Sequence, residues 1–272
     1  MLGKLLKYDI KSMAHTFVPL FIAMLGMSIL NILFFQNEWI AALIGGGTIM
    51  AGLLIALLVT TIVMIITQFY HSVLGDQGYL TNTLPVSVDT ILFSKMISAT
   101  VWIILSGITA VLSGFILLAG SALSIDFIAF IRTVGTFFSQ LAALLASDLT
   151  QTCWFVLAMV LGILLILASI ANELLHFYCA MACSQLYPFT KNRVVGSVIA
   201  YLLISIPLSV VSAFIMAGIA ALDTFSTLPT SETNPLSGLC LMFFLFLVSI
   251  MLLNVLLYLP SRYILKNKLN LE

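Results

Sequence analysis

Charge is what this sequence has least of. Lys, Arg, Asp and Glu make up 7% of its 272 residues, against about 25% in soluble domains. Hydrophobic residues make up 62%, more apolar surface than a soluble fold can cover, so the solvent must be lipid. Ten basic and ten acidic residues cancel. The total therefore points to no acidic partner, and nucleic acid is not expected to bind.

Cysteine is scarce too. Cys153, Cys179, Cys183 and Cys240 lie in or near apolar runs, and none has the CxxC spacing of a zinc or redox site. Cys179 and Cys183, four apart, read as small apolar packing on one helical face. HExxH, G-x-S-x-G and the P-loop are all absent. Gly45-Gly46-Gly47 has no Gly-Lys-Ser/Thr after it, so it reads as close helix packing rather than a phosphate cradle. Glu173-Leu174-Leu175-His176 matches one Glu-x-x-His element, but a carboxylate-bridged metal centre needs two copies and two further carboxylates. No catalytic residue, no metal and no cofactor on this chain are expected.

What the sequence does have is long hydrophobic runs. They predict an all-α integral membrane protein of one transmembrane domain over 1–272, with six spans at about 16–35, 40–68, 91–118, 152–183, 194–220 and 238–259. The second and fourth are too long for upright helices and must tilt or project. Pro19 lies near the entry of the first span and Pro207 at mid-span in the fifth, where it invites a kink. Pro260 is expected to start a basic tail.

Residues 1–14 place Leu2, Leu5, Leu6 and Ile10 on one side and Lys4, Lys7 and Lys11 on another. That pattern predicts an amphipathic elbow helix on the membrane surface, lysines toward anionic headgroups. Lysines before an apolar run also resemble a signal peptide, but the run from Phe17 to Phe35 is longer than an h-region and no A-x-A-like site follows. It reads as a retained span.

Residues 121–150 carry an apolar stripe (Phe127, Phe130, Ile131, Val134, Phe137, Phe138, Leu141, Leu144, Leu145) opposite Asp126, Thr133, Thr136, Gln140, Ser147 and Asp148. They fit a seventh span or a surface helix. A span here would put Lys191, Arg193, Arg262, Lys266 and Lys268 outside, and Arg132 at mid-span would cost about 2.5–3.5 kcal/mol. The positive-inside rule favours a surface helix on the outer face. Both termini are then cytoplasmic, as are nine of the ten Lys and Arg residues, Arg132 being the exception.

His71 to Lys95 is one of the few polar islands. Gly75 and Gly78 open a turn, Tyr79 to Pro85 follow, and Val86 to Asp89 lead back into apolar sequence. Apolar side chains on a short aqueous turn want a partner surface. The opening MLGKLLKYDIKSMAHTFVPL and the stretch GYLTNTLPVSVDTILFSK resemble the ABC-2 type, type V exporter-like, permease subunits of bacterial ABC transporters, and the six-span hydropathy agrees over the whole chain. Gly78 to Ser87 with Lys95 is the most specific part.

The resemblance implies a permease without its own ATPase, working as a dimer on two copies of a separate ABC ATPase that binds ATP and Mg. It implies a homodimer in the bacterial cytoplasmic membrane. Residues 76–89 become the coupling segment, with Asp76, Gln77, Gly78, Tyr79, Leu80, Thr81, Leu84 and Pro85 facing the ATPase and Tyr79, Leu80 and Leu84 as its apolar knobs. Family members carry an outer helical insertion between spans 5 and 6, whereas the long amphipathic segment here follows span 3. The greasy spans favour export of an apolar or amphipathic cargo, with a peptide as the specific candidate. Two other readings stand beside this one: a proton-coupled secondary transporter with Glu173 and His176 as a polar path, and a non-transporting immunity or assembly protein.

Overall fold

The computed structural model describes residues 2–36, 40–75, 87–123, 127–147, 149–186, 193–226 and 235–267. Seven α-helices follow one another there: α1 (Leu2–Gln36), α2 (Ile40–Phe69), α3 (Val88–Leu123), α4 (Phe127–Ser147), α5 (Leu149–Cys183), α6 (Arg193–Ser226) and α7 (Pro235–Asn267), with a π-turn at Tyr70–Leu74 after α2. No strand occurs among the described residues. All helices but α4 are long and apolar enough to cross a membrane, six in number. These six run 30 to 36 residues, or about 45–54 Å at 1.5 Å per residue. The hydrocarbon layer is about 30 Å thick, so each helix must tilt or extend beyond it. Leu58, Leu203 and Leu252 are typical of the outward surface, each well over half exposed. Apolar side chains presented on this scale suit lipid, not water.

The described residues fall into two compact units, Met1–Phe69 with Thr90–Gln140 and Tyr70–Asp89 with Leu141–Glu272. In the first, α1 packs on α2 around Met24, Met50 and Leu57, and Ala110 and Leu117 of α3 join the cluster. Phe17 stacks on Trp102 with ring centroids 4.8 Å apart. Small polar residues fill the tight places. Ser28 donates to the Met24 carbonyl at 2.9 Å, and Thr61 to the Leu57 carbonyl at 2.7 Å. Such bonds satisfy the hydroxyl within its own helix, which lets it sit in an apolar interface. Gly46 is the tightest approach: Asn31 donates to its carbonyl at 3.3 Å, and an added Cβ would run into the Asn31 side-chain oxygen. Of the three consecutive glycines expected to pack, Gly46 alone meets a neighbour, since a Cβ on Gly45 or Gly47 would find open space.

Two expected boundaries move. Residues 2–14 are not a separate elbow helix but the opening of α1. No Pro or Gly interrupts residues 4–18, and Met13 and Phe17, one turn apart, are both fully buried on the same face. The last span does not stop before Pro260, because α7 runs through it to Asn267. Proline withholds one helical N–H there, and Ser261 donates its hydroxyl to the Leu257 carbonyl at 2.7 Å in the same turn. Likewise α6 continues through Pro207. The 121–150 segment resolves into the end of α3, α4 and the start of α5. Between α6 and α7, residues 227–234 lie outside the described residues.

The second unit is built on α5, which packs against α6 and α7. Asn172 of α5 donates to Asn254 of α7 at 2.9 Å, and Asn254 donates back to the Ala168 carbonyl at 3.1 Å. This amide pair ties two helices by hydrogen bonds where lipid offers no competing partner. Phe177 stacks on Tyr201 of α6 at 5.1 Å. Cys240 donates to the Trp154 carbonyl at 3.3 Å, and all four cysteines are free. Gly75 closes the π-turn by donating to the Tyr70 carbonyl at 2.7 Å. A Cβ on Gly75 would lie 3.2 Å from the His71 backbone, so the turn has little room for any other residue.

Candidate functional site

Helical spacing gathers one polar stripe in the second unit. Tyr201, Ser205, Ser209 and Ser212 recur on one side of α6, and Asn172, Glu173 and His176 face them from α5. Together with Leu208 and Leu253 they line a cavity of about 170 Å³. Glu173 and His176 were the pair expected to form a polar path, and both line this cavity. His176 is buried, and its Nδ1 lies 3.0 Å from the Asn172 carbonyl oxygen. A carbonyl only accepts, so Nδ1 carries a proton, and in the neutral ring Nε2 is left as an acceptor. The serine hydroxyls are committed within α6: Ser205 donates to Leu202 at 3.4 Å, Ser209 to Ile206 at 2.8 Å and Ser212 to Ser209 at 2.9 Å. Their oxygens keep lone pairs but no free proton. Glu173 is exposed and has no ion-pair partner among the described residues.

A second carboxylate is held very differently. Asp9, on α1, pairs with Lys95 of α3 at 2.5 Å and accepts from Ser94 at 3.2 Å. The two charged side chains are only 13% and 9% exposed. Gln68 donates to the Asp9 backbone carbonyl at 3.4 Å. A third carboxylate, Asp89 in the first turn of α3, accepts from Tyr258 at 2.5 Å and pairs with Arg262 Nε at 2.8 Å. There Arg262 and Asp89 are 47% and 32% exposed.

The expected ATPase-facing residues Asp76, Gln77, Gly78, Tyr79, Leu80, Thr81, Leu84 and Pro85 lie outside the described residues. Of the expected coupling segment, Ser87 precedes α3, and Val88 and Asp89 are its first residues. Lys7 and Lys11 are exposed on α1, and the Lys4 side chain is not described.

Sequence reasoning missed Asp9, the two asparagines and the α6 stripe. The signals were present. Lys95 is the sole cation between Lys11 and Arg132, and Asp9 the sole acid before Glu38. Isolated opposite charges in apolar helices seek each other. The recurrence of Tyr201, Ser205, Ser209 and Ser212 at helical spacing was equally readable. Scans against protein-family models, curated proteins and solved structures match nothing to this chain. Its function must therefore be argued from its own residues. No group of three or more His, Cys, Asp and Glu that could hold a metal occurs among the described residues.

Proposed function

We propose that this chain is the membrane-spanning permease subunit of an ATP-driven exporter of the ABC-2 type. In this reading it sits in the bacterial cytoplasmic membrane with both termini inside and α4 on the outer side. It pairs with a second copy, and two copies of a separate ATPase supply ATP hydrolysis. The cargo is apolar or amphipathic, with a peptide as the specific candidate.

The observation that carries the reading is how the described residues on either side of 76–86 are held. Before it, the π-turn that follows α2 is closed by Gly75. At its far end Asp89 is bound to both Tyr258 and Arg262 of α7. Force applied to the segment thus has a hydrogen-bonded route into a membrane helix, as coupling to a partner ATPase requires. The resemblance of Gly78 to Ser87 to the family's coupling segment supports the same role. The test is purification of the chain from its native membrane. A stoichiometric P-loop ATPase should accompany the wild type and be lost in Leu80→Asp or Leu84→Asp, with membrane insertion intact. Recovery of the chain alone would sink the proposal.

The Glu173–His176 cavity favours a second reading, a proton-coupled secondary transporter, since ionisable groups at membrane depth serve as proton relays. That reading requires transport that follows the proton gradient and persists without any ATPase.

A further inference from the structure

The cavity of the second unit has a one-sided chemistry. In its ionised form the Glu173 carboxylate only accepts hydrogen bonds. Ser205, Ser209 and Ser212 have their protons on carbonyls of α6 and offer oxygens alone. One N–H of the Asn172 amide goes to Asn254, which leaves its second N–H and its oxygen. His176 has its Nδ1 proton on the Asn172 carbonyl. The Tyr201 hydroxyl can either donate or accept. A site rich in acceptors, with a carboxylate and neither Lys nor Arg among its lining residues, is matched by a ligand that is rich in donors and positive.

From this we infer that the cavity is a binding site for a small organic cation bearing several N–H donors, a primary ammonium or a guanidinium group. Glu173 is the counter-charge, and the serine oxygens and Asn172 take the remaining hydrogens. Size agrees with this class. An engineered cavity of roughly 150 Å³ holds benzene, so about 170 Å³ accommodates a charged head with a short alkyl chain. Leu208 and Leu253 supply apolar wall for that chain. A bare acidic residue in an apolar helix is costly unless paired or hydrated, and the bound cation supplies the missing charge. The site belongs to α5, α6 and α7 alone, so it stands whether or not an ATPase drives the chain.

The test is calorimetric titration of the full-length chain in lipid nanodiscs with n-butylguanidinium and n-butylammonium, against n-butanol and butyrate. Saturable binding of at least one cation is expected, with neither control binding. Glu173→Gln should weaken it roughly tenfold or more, as loss of a charge-assisted hydrogen bond requires. Should that variant fail to fold, Ser209→Ala with Ser212→Ala removes two acceptors from an intact helix and should weaken binding severalfold. An acetylated, amidated Gly-Arg-Gly peptide separates two sources of the same chemistry. Binding of the free cation but not the peptide identifies a small solute, and binding of the peptide identifies a side chain of a longer cargo. No saturable binding of either cation, equal binding of butanol, or affinity unchanged in a folded variant would overturn the inference.

Discussion

The two units treat a carboxylate in an apolar helix in opposite ways. In the first, Asp9 is buried against Lys95 and Ser94, so its charge is neutralised on the spot. In the second, Glu173 faces a cavity with acceptors around it and no cation among the described residues. A paired charge holds helices together, while an unpaired one waits for something to bind. The first unit spends its polar groups on structure and the second leaves some of its own unspent.

The largest effect expected from breaking this contrast is in the first unit. Removing one partner of a buried ion pair costs about 3–5 kcal/mol, because the other charge is left uncompensated. Asp9→Asn strands Lys95, so thermal unfolding in detergent should shift down sharply. A shift no larger than that of an exposed substitution would show that water or lipid headgroups already solvate the pair. Gly46→Ala comes next. The added methyl displaces Asn31 and breaks its bond to the Gly46 carbonyl, a crowding cost of about 1–3 kcal/mol. Gly45→Ala, where a Cβ meets nothing, is the control and should leave the unfolding midpoint near wild type. The smallest effect belongs to Arg262→Gln. Its pair with Asp89 is partly exposed and is worth up to about 1 kcal/mol. If the proposed coupling holds, ATP-driven transport should fall by more than stability does.

Much of the fold was legible in the sequence because lipid imposes a simple rule: long uninterrupted apolar runs become helices with every backbone group bonded within the segment. The six spans follow from that rule. Their ends did not, because a helix can outrun the apolar stretch that identifies it. The start of α1 and the end of α7 do so, the first through Met13 and Phe17 on one buried face, the second through Pro260 to Asn267. Glu173 and His176 stood out as rare ionisable residues, but their setting did not. Which hydroxyls and amides share their cavity depends on how α6 rotates against α5, and hydropathy is blind to that rotation. Asp9 was hidden for another reason. It stands between Lys7 and Lys11, and the lysine it pairs with lies far along the chain in α3.

The most direct measurement is a paired one: thermal unfolding of Asp9→Asn and Glu173→Gln in the same detergent, each with and without saturating n-butylguanidinium. Asp9→Asn should unfold at a lower temperature than wild type yet still be stabilised by the cation. Glu173→Gln should unfold close to wild type and gain clearly less from it than wild type does. The reverse pattern, with Glu173→Gln destabilised and as responsive to the cation as wild type, would contradict the division between a carboxylate that holds the fold and one that binds.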